Sequence, residues 1–325
     1  MRGFGRSLVL LGILTGMSAI PAVAAECALK RFVSVDTLTT QDGRMVVPVK
    51  IGNSERYLML DTGGSISGLT EPAAEELGLS SQASNVGLIG IGGAVSRRYA
   101  VLPSFTLGSV VSKAVKFMIL PGNAPMSPDN RLAGTIAPNP DIDLELDFVG
   151  RKLGLFSADH CDGQGVYWPA TAIAAVPMRV ARLGHIVIPV TLDGKDMDAA
   201  LDTGSSDTIL NLSVARDRFD IRMDAPDMEP IGQLGQNASS TIYRRRFNTL
   251  SFAGITVANP VMNLMPDQMS QRLPNARRTG SLIREADRGL PDLILGMSVL
   301  SETHIYVAYR EKKVYITSAA TQPSP

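Results

Sequence analysis

The sequence predicts a mostly β protein made of two pseudo-symmetric lobes with a cleft between them. Two copies of one phrase support this prediction: residues 60–63 read Leu-Asp-Thr-Gly, and residues 201–204, which lie 141 positions later, read the same. Each copy closes an apolar, strand-like run. The same shift superposes residues 46–49 on residues 187–190, which are both apolar around a proline. We therefore interpret the chain as an internal duplication.

The first half begins with a predicted hairpin followed by a helix. Residues 45–51 and 57–60 are strand-like and are separated by a turn-forming Gly-Asn-Ser, so that Asp61 follows at a strand end. Residues 71–78 combine an early proline, good helix formers and a final glycine, which predicts a short helix. The first acid is therefore expected between a strand and a helix.

The two halves end alike. An apolar segment up to Gly134 precedes an alternating hairpin at residues 144–155, and one up to Gly296 precedes a hairpin at residues 305–316. These two glycines are farther apart in the sequence than the two Asp-Thr-Gly phrases are. We therefore expect about 21 extra residues in the second half, in an exposed loop near residues 263–292.

Each half also contains a glycine-dense segment between extended runs, at comparable places. Glycine permits the backbone conformations that flexible hairpins need, so these segments are candidate flaps over the cleft. The candidate flap residues are Gly90, Ile91, Gly92 and Gly93 in the first half and Gly232 and Gly235 in the second.

The start of the chain looks like a secretory signal. Early arginines precede an apolar stretch at residues 7–20, and small residues suited to cleavage follow it. No later segment has 18 unbroken apolar residues, so the mature chain is predicted to lack a transmembrane segment and to be exported, either periplasmic or secreted. The chain then divides into a signal peptide (residues 1–25), an N-terminal lobe (26–165) and a C-terminal lobe (166–325). Because both lobes lie in one chain, a monomer is expected.

Cysteine, histidine and charge counts limit the other classes of site. Cys27 and Cys161 are the two cysteines, and an even pair in an exported chain favours a disulfide, with two unpaired thiols as the alternative. Three histidines give little material for a zinc cluster or a Cys-His nucleophile pair, so we expect no metal and no cofactor. Lys and Arg number 31 and balance 31 Asp and Glu, which predicts no nucleic-acid partner.

On these residues the chain resembles the aspartic peptidases, with a pepsin-like duplication and short, retropepsin-like lobes. The resemblance extends from about residue 46 to residue 316. It implies two aspartic-protease lobes, in which the apolar segment before Gly134 or Gly296 packs beside the catalytic loop of its own lobe. It also implies two catalytic acids and their supporting residues, which are Asp61 and Asp202 with Thr62, Gly63, Thr203 and Gly204.

A pair of aspartates also suits peptide hydrolysis on chemical grounds alone. One carboxylate deprotonates a water molecule while one carboxylic acid polarises the scissile carbonyl. Two carboxyls held close together share a proton and titrate as a pair. Glycine after each threonine lets the backbone approach the carboxyls, and the threonine hydroxyls can cross-link the two loops.

Two features depart from the family pattern. Gly64 stands where Ser, Thr or Ala is more usual, which removes one hydroxyl partner of the first acid. The first candidate flap has no aromatic residue at its glycine-rich centre, unlike pepsin flaps, and is closer to the viral type.

The predicted function is an exported aspartic-type endopeptidase that cuts extended peptide or protein substrates. The alternative is a catalytically inactive module that binds peptides in the same cleft by strand addition. The presence of both acids with both threonines favours catalysis, because binding alone needs no proton-sharing pair. A serine hydrolase is disfavoured, since residues 63–68 lack the Gly-x-Ser-x-Gly spacing.

Overall fold

The structure is a computed structural model that describes residues 28–90, 94–122, 126–127, 129–170, 172–181, 184–233, 241–266 and 291–318. This part of the chain is mostly β and forms sheets of eight, ten and six strands. Within it, no helix is both long enough and apolar enough to cross a bilayer.

The elements of the first half include the predicted hairpins and helix. They are β1 (Arg31–Asp36), β2 (Leu38–Thr39), β3 (Met45–Ile51), β4 (Ser54–Leu60), β5 (Gly68–Leu69), α1 (Glu71–Glu76), β6 (Ser81–Ile89), β7 (Val95–Leu107), β8 (Val110–Ile119), β9 (Leu132–Ile136), β10 (Ile142–Asp147) and β11 (Lys152–Ser157). Helix α1 begins after Thr70, whose hydroxyl accepts a hydrogen bond from the N–H of Ala73 at 3.3 Å, and Pro72 lies in its first turn.

The second half repeats this order with additions. Its elements are β12 (Ala174–Pro177), β13 (Arg179–Val180), β14 (Ile186–Leu192), β15 (Lys195–Leu201), β16 (Ile209–Asn211), α2 (Leu212–Phe219), β17 (Glu229–Gln233), β18 (Thr241–Arg246), β19 (Thr249–Phe252), β20 (Ile255–Ala258), β21 (Val261–Met265), β22 (Leu293–Leu295), α3 (Met297–Leu300), β23 (Thr303–Ala308) and β24 (Lys313–Ser318).

Each lobe is built on one sheet, and the two sheets share a central pattern. The orders are β2-β3-β4-β9-β5-β8-β7-β6 and β17-β18-β21-β16-β22-β15-β14-β19-β20, with β13 paired to β14. In each lobe an antiparallel pair leads to the Asp-Thr-Gly phrase, and a third strand, β9 or β22, runs parallel to the last strand of that pair. The prediction of a mostly β, two-lobed fold is confirmed.

The six-stranded sheet joins the lobes. Its order is β1-β11-β10-β23-β24-β12, with three strands from each half. At its centre β10 and β23 pair antiparallel, with Leu144 opposite Val307 and Leu146 opposite Ile305. Buried apolar side chains from this sheet and both lobe sheets form one core, in which each fully buried side chain contributes about 1.5–3 kcal/mol. The predicted division after residue 165 falls between β11 and β12, and the lobe bounds stay a prediction.

The predicted equivalence of Gly134 and Gly296 is wrong. Ile136 pairs with the last residue of β4, and Leu295 pairs with the last residue of β15, so Ile136 and Leu295 are the true counterparts. These two residues are closer together in the sequence than the two glycines are. Up to this point the second half therefore has fewer extra residues than predicted.

Two unrelated close contacts explain why glycine occurs at both places. A Cβ on Gly134 would overlap the carbonyl oxygen of Gly68, and a Cβ on Gly296 would overlap the carbonyl oxygen of Asp207. The loop predicted at residues 263–292 also begins too early, because residues 263–265 belong to β21 and pair with β16. Residues 267–290 lie outside the described part of the chain.

Several other predicted features also lie outside the described residues. These are the signal peptide at residues 1–25, Cys27, Ile91, Gly92, Gly93 and Gly235. Cys161 is disulfide-bonded, and its pairing with Cys27 stays a prediction.

Candidate active site

The two acids occupy equivalent positions at strand ends. Asp61 follows β4, and its N–H donates to the carbonyl of Ile136 at 2.9 Å. Asp202 follows β15, and its N–H donates to the carbonyl of Leu295 at the same distance, 2.9 Å. Because β9 and β22 run parallel to β4 and β15, each lobe holds its acid at the edge where two parallel strands end. The segments that end at Ile136 and Leu295 thus lie beside the Asp-Thr-Gly loop of their own lobe, whereas the resemblance implied segments that end at Gly134 and Gly296.

The two loops are cross-linked by their threonines. The Thr62 hydroxyl donates to the carbonyl of Leu201 at 2.7 Å, and the Thr203 hydroxyl donates to the carbonyl of Leu60 at 2.6 Å. Each hydroxyl also accepts the N–H of the other threonine, at 3.0 and 3.1 Å. Both threonines are buried, so these four bonds fix the two loops, and with them the two acids, against each other.

Glycines allow the carboxyls to come together. A Cβ on Gly63 would overlap the carboxyl of Asp202, and a Cβ on Gly204 would lie 2.6 Å from Oδ1 of Asp61. Each glycine of one lobe therefore leaves room for the acid of the other lobe. The side chains of Asp61 and Asp202 are hydrogen-bonded to each other, so all six residues predicted as catalytic or supporting lie together.

The environment of the pair favours protonation. Burial, followed by the charge of Asp202, raises the pKa of Asp61 to about 7. Burial also raises the pKa of Asp202 above its ordinary value, although bonds from the backbone of Gly204 and Ser205 oppose this. Two close carboxyls cannot both ionise cheaply, so near neutral pH the pair holds one shared proton.

Hydroxyl groups beside the acids are fewer than in the expected pattern. At Gly64 a Cβ would lie 2.7 Å from Oδ2 of Asp61, so a larger residue would require the carboxyl to move. The counterpart in the second lobe, Ser205, donates its hydroxyl to the carbonyl of Asp207 at 2.7 Å instead of to Asp202. Among the described groups, the bonds that lower the pKa of the two carboxyls from their own loops therefore come from backbone N–H groups.

A second pair of symmetric bonds ties each catalytic loop to the segment after the parallel strand. The Ser67 hydroxyl accepts the N–H of Ala137 at 3.1 Å, and the Thr208 hydroxyl accepts the N–H of Gly296 at 3.2 Å. These bonds confirm that Ala137, rather than Gly134, is the counterpart of Gly296. Sequence reasoning did not identify Ser67 and Thr208, because a lone hydroxyl residue in a loop carries no motif.

Each candidate flap contains an antiparallel strand pair among the described residues. In the first, β6 pairs with β7, and the N–H of Gly90 donates to the carbonyl of Ala94 at 2.9 Å. Next to this hydrogen bond, Ile89 and Val95 lie opposite each other, and both side chains are about half exposed. In the second, β17 pairs with β18, with Gly232 opposite Ile242. A flap function stays a prediction for both.

Other chemistry has few residues available. Among the described residues, no group of three or more His, Cys, Asp or Glu side chains is arranged to hold a metal ion.

His185 also lies near the acids, and the sequence analysis did not identify it as a site residue. It is buried and lies within electrostatic range of Asp202. A lone histidine before a strand has no pattern that could have revealed this.

Comparisons with known proteins agree with the geometry. A family model described as aspartyl protease matches residues 47–135 and 188–299, so that each matched segment contains one Asp-Thr-Gly phrase. The two segments together span more than half of the 325 residues. No curated protein is similar enough to count as a match.

Two solved structures are similar in overall arrangement. The aspartic proteinase from Irpex lacteus has 14% identity and a TM-score of 0.49, over 90% of this chain and 98% of that chain. Basic 7S globulin from soybean has 9% identity and a TM-score of 0.48, over 90% of this chain and 96% of that chain.

Proposed function

Because the chain belongs to the aspartyl protease family, we propose that it is an endopeptidase that hydrolyses extended peptide or protein substrates between its two lobes. The observation that carries this proposal is the hydrogen-bonded pair of Asp61 and Asp202, one from each lobe, with both threonine cross-links in place. A module that only binds peptides would need the cleft but not a pair of acids held against each other.

The reaction uses the shared proton of the pair. A water molecule bound between the carboxyls loses a proton to the ionised one while it attacks the scissile carbonyl carbon. The protonated carboxyl transfers its proton to the carbonyl oxygen, which becomes a hydroxyl of the tetrahedral intermediate. When the intermediate collapses, the C–N bond breaks, the carboxyl that took the proton from water passes it to the leaving nitrogen, and one hydroxyl returns its proton to the other carboxylate. The raised pKa of Asp61, about 7, keeps this singly protonated form populated up to near-neutral pH.

Replacement of either acid tests the proposal. In Asp61→Asn and Asp202→Asn, we expect cleavage of a mixed peptide library to fall by about 10²- to 10⁴-fold, because each amide removes one half of the acid–base pair. Peptide products are quantified by mass spectrometry across an acid-to-neutral pH series. The folds should remain intact, because asparagine preserves the shape of the side chain.

A surface aspartate on the same strand provides the matched control. Asp198 lies on β15, is half exposed and pairs with Arg179 at 2.8 Å. Asp198→Asn should cut as fast as the wild type. Wild-type rates in either dyad variant would refute the assignment, and a wild type that binds but never cuts would favour the peptide-binding module.

We further propose that the protein is exported and acts as a monomer. The pattern of residues 1–25 and the disulfide at Cys161 support export, because disulfides persist in oxidising compartments. The mature protein should begin near residue 25 and contain a bond between Cys27 and Cys161. Mass spectrometry of a non-reduced digest from the native compartment measures both, and an intact N-terminus with free thiols would contradict the proposal.

A further inference from the structure

In each lobe a backbone hydrogen bond joins two residues just before the first of the two strands that lead to the acid. The second of these residues differs between the lobes. In the first lobe, Thr40 donates its N–H to the carbonyl of Arg44 at 2.9 Å. In the second lobe, Ala181 donates its N–H to the carbonyl of His185, also at 2.9 Å. A glycine with a positive φ angle, 85° in the first lobe and 88° in the second, comes directly before the second residue of each bonded pair. Arg44 and His185 are thus structural counterparts.

The strand register indicates that His185 lies beside Asp202. In the pair β14–β15, Val187 lies opposite Ala200, and each step toward the acid advances one residue on both strands. Continued by two residues, the register places His185 opposite Asp202. Directly opposed residues project their side chains from the same face of a sheet, with Cβ atoms about 5 Å apart. The imidazole and the Asp202 carboxyl therefore belong to one face.

The two counterparts have different surroundings. Arg44 is partly exposed, and its guanidinium is paired with Asp42 at 2.6 Å. His185 is buried, with an exposed fraction of 6%, and its Nδ1 has no hydrogen-bond partner in the described part of the chain. A buried ring nitrogen without a partner costs free energy, so the fold gains nothing from histidine here as a packing residue alone.

We propose, building on the function proposed above, that His185 is a positioning residue of the catalytic pair, which sets an ionisable imidazole against Asp202 in the second lobe only. When His185 is protonated, its positive charge favours the ionised form of Asp202 and assigns the shared proton to Asp61. The first lobe has no equivalent group among its described residues, because the charge of Arg44 is satisfied by Asp42.

The charges around His185 define when this interaction operates. On the β15 side it faces Asp202 and, through it, Asp61; on the β13 side, Arg179 is paired with Asp198 at 2.8 Å. Burial lowers the pKa of His185, while the charge of Asp202 acts in the opposite direction. The imidazole is therefore neutral at neutral pH and gains its charge only in acid, where it helps Asp202 to stay ionised.

The pH profile of kcat/KM tests this role. In His185→Gln, the acid limb should move to higher pH by about half a pH unit or more, whereas the alkaline limb should stay in place. A purely structural role would lower kcat/KM at every pH without moving one limb alone. The matched control is the counterpart in the other lobe: Arg44→Gln should move neither limb. An acid limb that stays in place in His185→Gln, or moves as far in Arg44→Gln, would overturn the proposal.

A second measurement does not depend on cleavage. The titration of the His185 imidazole, followed by NMR in the wild type and in Asp202→Asn, should shift to lower pH in the variant because the carboxylate is lost. An unchanged titration would refute the role of His185 even if the protein cuts peptides. Conversely, a shifted titration in a protein that cuts nothing would support the coupling while removing the proposed function.

Discussion

At the scale of single residues, the proposed catalytic pair of Asp61 and Asp202 depends on the absence of a side chain at Gly63 and at Gly204. Gly63 and Gly204 do not have positive φ angles, so their value lies in the absent side chain rather than in backbone freedom. Each lets the acid of the opposite lobe approach the loop backbone. Burial raises the pKa of both acids, the charge of Asp202 raises the pKa of Asp61 further, and the closeness of the two carboxyls allows the pair to share a proton.

Adding one methyl group should therefore separate fold from catalysis. In Gly204→Ala the new Cβ would lie 2.6 Å from Oδ1 of Asp61, so the carboxyl must move. We expect kcat to fall by about 10²-fold, as a displacement near 1 Å can cause. Asp198→Asn is the control, because Asp198 is half exposed and paired with Arg179. Equal rates in the two variants would show that the pair tolerates the displacement.

The sequence predicted these residues unequally. Asp61 and Asp202 could be found because the same phrase occurs twice at one spacing, and chemistry then required the threonines and glycines beside them. His185 could not be found in this way. Its relation to Asp202 arises from strand register and burial, and the residue that corresponds to it by the repeat is an arginine. Comparison of the two halves identifies the residues that both contain, but it does not identify a functional residue that occurs in one half alone.

At the scale of elements, the site is a junction between two strand ends. The last residues of β4 and β15 each offer a carbonyl to the threonine of the opposite lobe. These carbonyls and the two threonine N–H groups are buried, so each depends on a hydroxyl of the other loop for its partner. The arrangement makes the two loops one structural unit even though they are distant in the sequence.

Loss of one hydroxyl should therefore destabilise the junction. Thr62→Val leaves the carbonyl of Leu201 and the N–H of Thr203 without partners, at a cost of about 2–5 kcal/mol in the free energy of unfolding. Thr62→Ser, which keeps the hydroxyl, should lose much less. Denaturant unfolding of the two variants measures the difference, and similar stabilities would mean that the cross-link is not what holds the loops.

Element types were easier to predict than element equivalence. Strands β3 and β4, helix α1 and the hairpins that close each half follow alternation, turn residues and capping, which are local signals. The predicted equivalence of Gly134 and Gly296 was wrong because glycine is needed wherever a side chain would clash with a neighbouring backbone, and such clashes occur at different positions in the two halves. The strand register, together with the bonds that Ala137 and Gly296 make with equivalent hydroxyls, reveals the true alignment.

At the scale of the whole molecule, the lobes are joined by polar contacts inside the six-stranded sheet. Asp143 is fully buried on β10 and accepts bonds from Nε2 of His160 at 2.6 Å and from the Tyr306 hydroxyl at 3.2 Å. Glu145 accepts a bond from His304 at 3.0 Å across the same strand pair. The bonds from Tyr306 and His304 link the first half to the second, while His160 lies in the same half as Asp143, so this network contributes to the relative position of the two Asp-Thr-Gly loops.

This network could not be predicted from the sequence. Asp143 and Glu145 alternate with leucines, a pattern typical of a strand with one face in solvent. Both are buried instead, because His160 and Tyr167, from the segment after β11, bond to Asp143 and Glu145 respectively, and β23 supplies Tyr306 and His304 as further partners. The sequence of one strand does not show which side chains will bond to its polar residues, because His304 and Tyr306 are far from Glu145 and Asp143 in the sequence.

His160 makes the stability of this junction depend on pH. Both ring nitrogens face acceptors, the Cys161 carbonyl at 2.9 Å and the Asp143 carboxylate, so both bonds need the protonated ring. Burial opposes the charge, yet the bonds to Cys161 and Asp143 raise the pKa of His160 above its ordinary value of 6.5. A raised pKa in the folded state gives stability that is present below pH 6.5 and is lost as the pH rises through the folded value.

Removal of the imidazole should therefore matter most in acid. We expect His160→Gln to lower the free energy of unfolding by about 1–3 kcal/mol near pH 6 and by less near pH 9, where a smaller fraction of the wild-type rings is protonated. Tyr306→Phe removes another bond to Asp143 without a group that titrates in this range, so its cost should be the same at both pH values. Denaturant unfolding at the two pH values measures this difference. A His160→Gln cost that does not change with pH would mean that a neutral histidine holds Asp143, and that the junction gains no stability in acid from this residue.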